Sequence, residues 1–306
     1  MVEECCMTGT ESMTVAEYAA YERAMGARVL EAGGVWWRQV RPFFYRPLIP
    51  FQVLDPELVH PPRAARWGGF QHVVGESARA NSRIMLLLFR HANEYRLESL
   101  EKKRRWEVRT ALKNFQVRRL LEPEPLACEG HAVYLEFRRR TGYLYRADRE
   151  DPERFTAWAA TVVQTPKVLV WGAFEAGVLQ AVAVGVPVEG TLFYSTFIAR
   201  ERALKHHVAS LMLHTVRAHA ATCGWTQVYA GLRKQGREVS VDEFYLQRGC
   251  ETVSLPARYR LNPLIESGLR LLMPRYMGKI TGPVGRGTGG AEPLAHAARD
   301  GAATEV

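Results

Sequence analysis

The chain has 306 residues, 47% of them hydrophobic and 24% charged, the profile of a soluble globular protein with material for one large domain or two ordinary ones. Its longest unbroken apolar run, Ile84–Phe89, is far too short to span a bilayer, and no basic start followed by an apolar core marks a secretory signal. With 41 basic and 32 acidic side chains the net charge is +9, which favours an anionic partner such as nucleic acid, anionic lipid or a phosphorylated cofactor.

Residues 1–13 read as a loose terminus. The apolar spacing from Val15 to Met25 predicts a short helix with Thr14 as its N-cap. Arg28–Val40 reads as a hairpin around Gly33-Gly34, and Phe43-Phe-Tyr45 as an extended segment. Five prolines between Pro47 and Pro62 predict a long surface connection. Ile84–Phe89 has the length of a buried strand, Tyr95–Asn114 the apolar spacing of a helix, and Gln116–Leu121 the character of a strand. Glu122-Pro-Glu-Pro125 breaks regular structure and divides the chain into halves at 14–122 and 126–282.

The second half opens with helices at Cys128–Thr141 and Pro152–Val163, then a hairpin of Lys167–Ala173 and Val178–Val186 across Phe174-Glu-Ala-Gly177. Thr191–Ala199 is a run of aromatic and β-branched residues typical of a strand. A basic segment, Arg200–His207, leads into an amphipathic helix from about His207 to Thr222, stopped by Gly224. A short strand at Thr226–Ala230 and a polar loop precede Asp242-Glu-Phe-Tyr-Leu-Gln-Arg-Gly-Cys-Glu251. Leu264–Leu272 is a short amphipathic segment, and residues 283–306, Gly-rich and then small and polar, read as a disordered tail. Five cysteines (Cys5, Cys6, Cys128, Cys223, Cys250) without a C-x-x-C pair fit a reducing, cytoplasmic setting, and no metal-ligand spacing occurs.

Strand, basic turn, helix, strand, then a helix ending in Phe244-Tyr-x-x-x-Gly249 resembles the cofactor half of the GNAT superfamily of N-acetyltransferases. Leu100-Glu-Lys-Lys-Arg-Arg-Trp-Glu-Val-Arg-Thr-Ala-Leu-Lys-Asn-Phe-Gln-Val117 is similar to the basic helix and strand that close the first fold in the Fem-like branch, where two such folds are fused. The resemblance implies an α/β protein of two tandem GNAT-like halves, the second carrying the site. It also implies N-acyl transfer to an amine of a small molecule or peptide, with acyl-CoA or an aminoacyl-tRNA as donor. One departure is plain: the family's phosphate loop carries glycines, whereas Arg202-Ala-Leu-Lys-His-His-Val-Ala209 has none. The long helical hairpin that some Fem transferases use with transfer RNA is also missing.

On that resemblance the donor lies where the strands at Thr191–Ala199 and Thr226–Ala230 splay apart, so that free backbone N–H groups polarise its carbonyl. Its pyrophosphate meets the start of the helix near His207, with Arg200, Arg202, Lys205, His206 and His207 around it. Tyr245 matches the tyrosine that protonates the leaving group. Glu175 and Glu189 lie in turns beside the sheet, Asp242 reads as an N-cap, and His214 and His219 as ordinary helix histidines. Two other readings stay open: an RNA-binding protein that uses the basic helix at 101–119, and an inactive GNAT-like scaffold.

Overall fold

The computed structural model describes residues 11–142, 146–233 and 240–272. Helix α1 (Val15–Ala24) starts from a capping box in which Thr14 Oγ accepts the Glu17 N–H and the Glu17 carboxylate accepts the Thr14 N–H. Strands β1 (Val29–Ala32), β2 (Val35–Arg41) and β3 (Phe44–Pro47) follow as antiparallel neighbours, then β4 (Gly69–Val73) and β5 (Ser82–Arg90). Helix α2 (Lys102–Asn114) and strand β6 (Gln116–Arg119) lead to α3 (Glu124–Thr141) and to α4 (Pro152–Gln164), whose Asp151 cap accepts the Arg154 N–H. Strands β7 (Leu169–Glu175) and β8 (Val178–Val188) turn at Ala176 and Gly177, both with positive φ, the geometry that a tight hairpin requires. After them come β9 (Thr191–Ala199), α5 (Glu201–Lys205), α6 (Val208–Thr222), β10 (Gln227–Leu232), α7 (Ser240–Leu246), β11 (Glu251–Leu261) and α8 (Pro263–Leu272).

All eleven of these strands join one mixed sheet in the order β1-β2-β3-β4-β11-β5-β10-β9-β8-β7-β6. Side chains alternate between two cores, as the period of a strand dictates. On one face Leu169, Trp171, Ala183, Leu192 and Tyr194 pack with α2 and α6. On the other, Val170, Val182, Val184, Phe193 and Ile198 pack with α1, α3 and α4. The outcome is a mixed α/β fold of helix, sheet and helix layers.

The expected boundary at 122–126 falls between β6 and α3, and strands from either side of it alternate in the sheet. Strand β6 pairs with β7, β5 pairs with β10, and β11 lies between β4 and β5. Pro125 stands in the first turn of α3, where its missing N–H costs nothing, so that helix begins before Cys128. The helix expected from Tyr95 begins only at Lys102. Leu100 is buried in extended conformation and two short 3₁₀ turns, Ala92–Glu94 and Leu97–Ser99, take up the preceding residues. The basic stretch at 101–119 is therefore a helix to Asn114 followed by an edge strand. Of the loose terminus, residues 1–10 lie outside the described residues, but Met13 is buried and bridges to Val188. The tail at 283–306 also lies outside them.

Candidate active site

Strands β9 and β10 run parallel, and their ladder holds only for Thr191, Leu192 and Phe193 against Gln227, Val228 and Tyr229. Beyond that point each strand bulges on its outer side. Gly185 pairs with Tyr194 and Val184 with Thr196, so Ser195 is the extra residue of β9. Tyr229 pairs with Leu88 and Gly231 with Leu87, so Ala230 is the extra residue of β10. A bulge adds local twist and turns a strand away from its partner. The two strands thus fork in the middle of the sheet.

Solvent enters the fork. Residues Thr191–Tyr194 are buried, Ser195 is exposed, and Thr196 and Phe197 are half-buried before Ile198 and Ala199 close the core again. On the opposite prong Ala230 and Gly231 are half-buried and Leu232 is exposed. Parallel strands at the centre of a covered sheet are normally buried throughout. Here the opening coincides with the two bulges, at Ser195 and Ala230. Main-chain N–H groups freed from the ladder at such a place would be suited to polarising a carbonyl.

Tyr245, on α7, stands over the first residue beyond the ladder. Its ring meets Tyr194 edge-on at 6.3 Å between centroids and Phe89 at 6.1 Å. The side chain is half-buried, and burial, reinforced by Cys250 and Asp242, pushes its phenol well above the ordinary tyrosine range. Tyr194 is pushed the same way by burial and by Tyr245. Tyr245 is therefore a protonated phenol at neutral pH.

The basic turn is built differently from the expected loop. Arg200–His207 contains the single turn of α5, and His207 then takes a left-handed conformation with φ 64° to start α6. That is the conformation a glycine would supply, here filled by a histidine whose ring lies against Trp106 at 5.2 Å. The cations of the turn face carboxylates. Arg200 lies 3.6 Å from Glu136 and donates to the Leu179 carbonyl, Arg202 lies 3.8 Å from Glu175, and Lys205 lies 3.3 Å from Glu201. Glu136, Glu175, Arg200 and Arg202 line a shallow depression of about 370 Å³, while His206 is exposed beside it.

The first turn of α6 is held from within. Ser210 donates to Glu107 of α2 at 2.9 Å, and Arg248 binds both Ser210 and the same carboxylate. Arg104 binds the other Glu107 oxygen and reaches Gln247. Burial pushes the Glu107 carboxyl up, but the Ser210 hydroxyl and the two arginines prevail and hold it below its ordinary range. This buried tie joins α2, α6 and the end of α7.

Asp242 is not the cap of α7: the helix starts at Ser240, and Asp242 is buried in its first turn. Glu189 sits in the β8–β9 turn, where its N–H donates to the Met13 carbonyl. His214 bonds the Tyr95 hydroxyl at 2.9 Å, and burial, then Arg217, lowers its pKa. His219 lies between Trp171 and Trp225, and burial, then Arg119, lowers its pKa to about 4. The expectation of ordinary helix histidines fits both, each satisfied by its neighbours.

Sequence reasoning missed Ser195, Ala230, Tyr194, Trp106 and the Glu107 tie. Only Glu107 left a local signal, as a lone acid at an apolar position of a basic helix.

No family model and no curated protein matches this chain. Solved structures do. FemX matches over 84% of this chain and 93% of its own at 12% identity, with a TM-score of 0.55. The C-terminal domain of a putative lysylphosphatidylglycerol synthetase from Agrobacterium fabrum matches over 92% and 96% at 13% identity, also with a TM-score of 0.55. L-PGS from Bacillus licheniformis matches over 86% and 91% at 12% identity, with a TM-score of 0.51. At such identities the likeness is one of fold, and the fold is GNAT-like and Fem-like.

Proposed function

We propose that this chain, with its Fem-like fold, transfers an aminoacyl group from an aminoacyl-tRNA ester to an amine at the β9–β10 fork. We take its two sequence halves as tandem GNAT-like units that share the sheet, with the site in the second. The observation that carries the reading is the opening at Ser195–Phe197 with Tyr245 beside it. The fork's main-chain N–H groups hold the ester carbonyl, the amine attacks its carbon, and the C–O bond to the ribose breaks. Tyr245 gives its proton to the departing oxygen, and the proton that the amine loses returns to the Tyr245 phenolate.

The choice of an ester over a thioester rests on the surface around α6. The start of that helix, where a pyrophosphate is expected, is tied to Glu107 and faced by Trp106. Beside it α2 exposes Lys102, Lys103, Arg109 and Lys113 around Trp106, which is 57% exposed. Cations that track a backbone and an aromatic face that stacks a base are how single-stranded nucleic acid ends are held.

The test is single-turnover aminoacyl transfer by the full chain with Tyr245→Phe. The rate should fall roughly 10²–10⁴-fold while donor affinity stays unchanged. Full activity in that variant removes the tyrosine from the mechanism. Turnover of an acyl-CoA as fast as that of an aminoacyl-tRNA overturns the ester reading.

A further inference from the structure

Far from the fork, the last described helix presents an apolar stripe to solvent. In α8, Leu264, Leu271 and Leu272 are 84%, 82% and 78% exposed. They lie on one side of the helix together with Gly268, as their helical spacing requires. The helix is seated by a different residue, Leu269, which packs on Phe44, Tyr259 and Leu261. Its polar side is satisfied locally: Arg270 donates to Glu266 at 2.7 Å, and the Tyr259 hydroxyl approaches the same carboxylate at 3.4 Å.

Two other exposed aromatics are fastened to the start of this helix. Asn262 donates from its main chain to the Gly68 carbonyl at 3.1 Å and from its side chain to the Arg66 carbonyl at 3.0 Å. Between those carbonyls sits Trp67, 58% exposed, with the Arg66 guanidinium 5.3 Å from its ring. Phe43, 45% exposed, bonds through its carbonyl to the Gly69 N–H at 3.1 Å. A Cβ at Gly68 would come within 2.5 Å of that carbonyl oxygen, so only glycine lets the two segments meet. Phe43 has φ 57°, a conformation that bulky residues rarely take. Three segments distant in sequence thus turn large apolar side chains outward on one rim. Exposed apolar side chains gathered on adjoining segments in this way mark a docking face.

We infer that this rim, built of α8, Trp67 and Phe43, docks the protein on an anionic phospholipid surface. Charge selects the occupant. Arg63 and Arg66 are exposed on the segment that carries Trp67, and the chain's net charge is +9. Aliphatic side chains aimed outward, a tryptophan and arginines at the boundary are what an interfacial helix presents to anionic headgroups. A second copy of the chain on the same face would bring these arginines against each other. No described helix is long and apolar enough to cross a membrane, so the contact is at the surface.

Flotation of the full chain with vesicles of phosphatidylcholine, and of phosphatidylcholine with phosphatidylglycerol, tests this. The protein should float with the anionic vesicles only, and less so as salt is added. Leu264→Glu with Leu271→Glu should reduce vesicle binding by about tenfold or more, and Trp67→Ala by a smaller factor. These positions are exposed, so the melting temperature should not change, and circular dichroism checks that the variants fold. Failure of the wild type to float on anionic vesicles overturns the inference. So does equal flotation of the double-glutamate variant. A dimer in sedimentation equilibrium that the same substitutions dissociate would assign the rim to a second copy instead.

Discussion

Helix α6 meets charge at two places, and the two are built in opposite ways. At the turn before it, Arg202 and Lys205 are exposed and face single carboxylates at 3.8 and 3.3 Å across solvent. One turn further on, Glu107, Ser210 and Arg248 are buried and bonded to one another, across 141 residues of sequence between the acid and the arginine. Exposed pairs gain little because water competes for both partners, whereas a buried pair, once formed, leaves an uncompensated charge if either partner is removed. The lesson is that a basic motif conspicuous in the sequence is the weaker element, and an acid hidden in a basic helix fixes the geometry.

Three measurements break or sharpen this contrast. Glu107→Ala strands Arg248 in the core and should cost about 3–5 kcal/mol in chemical denaturation. A loss under about 1 kcal/mol would place the tie with ordinary surface pairs. The histidines on the body of α6 give a second handle. His219 titrates near 4 when folded, against about 6.5 in an unfolded chain, so the unfolded state binds more protons between these values. Stability should therefore be full above pH 6.5 and fall as pH drops towards 4, at up to about 1.4 kcal/mol per pH unit for this residue. His214 acts in the same direction. His219→Gln should flatten that slope, and a denaturation series whose slope is the same in the variant would contradict a buried neutral imidazole. The smallest effect is expected at the turn. Arg202→Ala with Lys205→Ala should change stability by less than about 1 kcal/mol. It should also leave aminoacyl-tRNA affinity within about twofold, since each lost charge-assisted bond to a phosphate would cost on the order of 1.5–3 kcal/mol and so exceed tenfold. Loss on that scale in a binding titration would return the donor's anion to the turn.

What could be read from the sequence follows from the range of the forces involved. The order β9, α6, β10 was legible because its hydrophobic periods and the stop at Gly224 are local. Tyr245 was singled out by the family motif, and its ring stands against Tyr194 at the fork. Strand β11 was not legible, because Pro256 interrupts it and Arg258 and Arg260 alternate with its apolar residues. Pro256 is tolerated because it lies one residue beyond the ladder with β4. Strand β4 is five residues long and begins with glycine, too little pattern to register. The bulges at Ser195 and Ala230 are differences of register between strands, and nothing in either strand alone encodes them.

The position of β11 also bears on how the protein is made. Strand β5, with its Ile84-Met-Leu-Leu-Leu-Phe89 run, is synthesised early, yet both of its sheet neighbours, β10 and β11, come from beyond residue 226. Until then its two edges carry unpaired main chain on a strongly apolar segment, the combination most prone to pair with another molecule. A nascent chain halted after the first half is therefore not a folded domain awaiting its partner but an open sheet with a missing centre. Chaperone demand, sensitivity to truncation and slow refolding from denaturant should all trace to these two late strands.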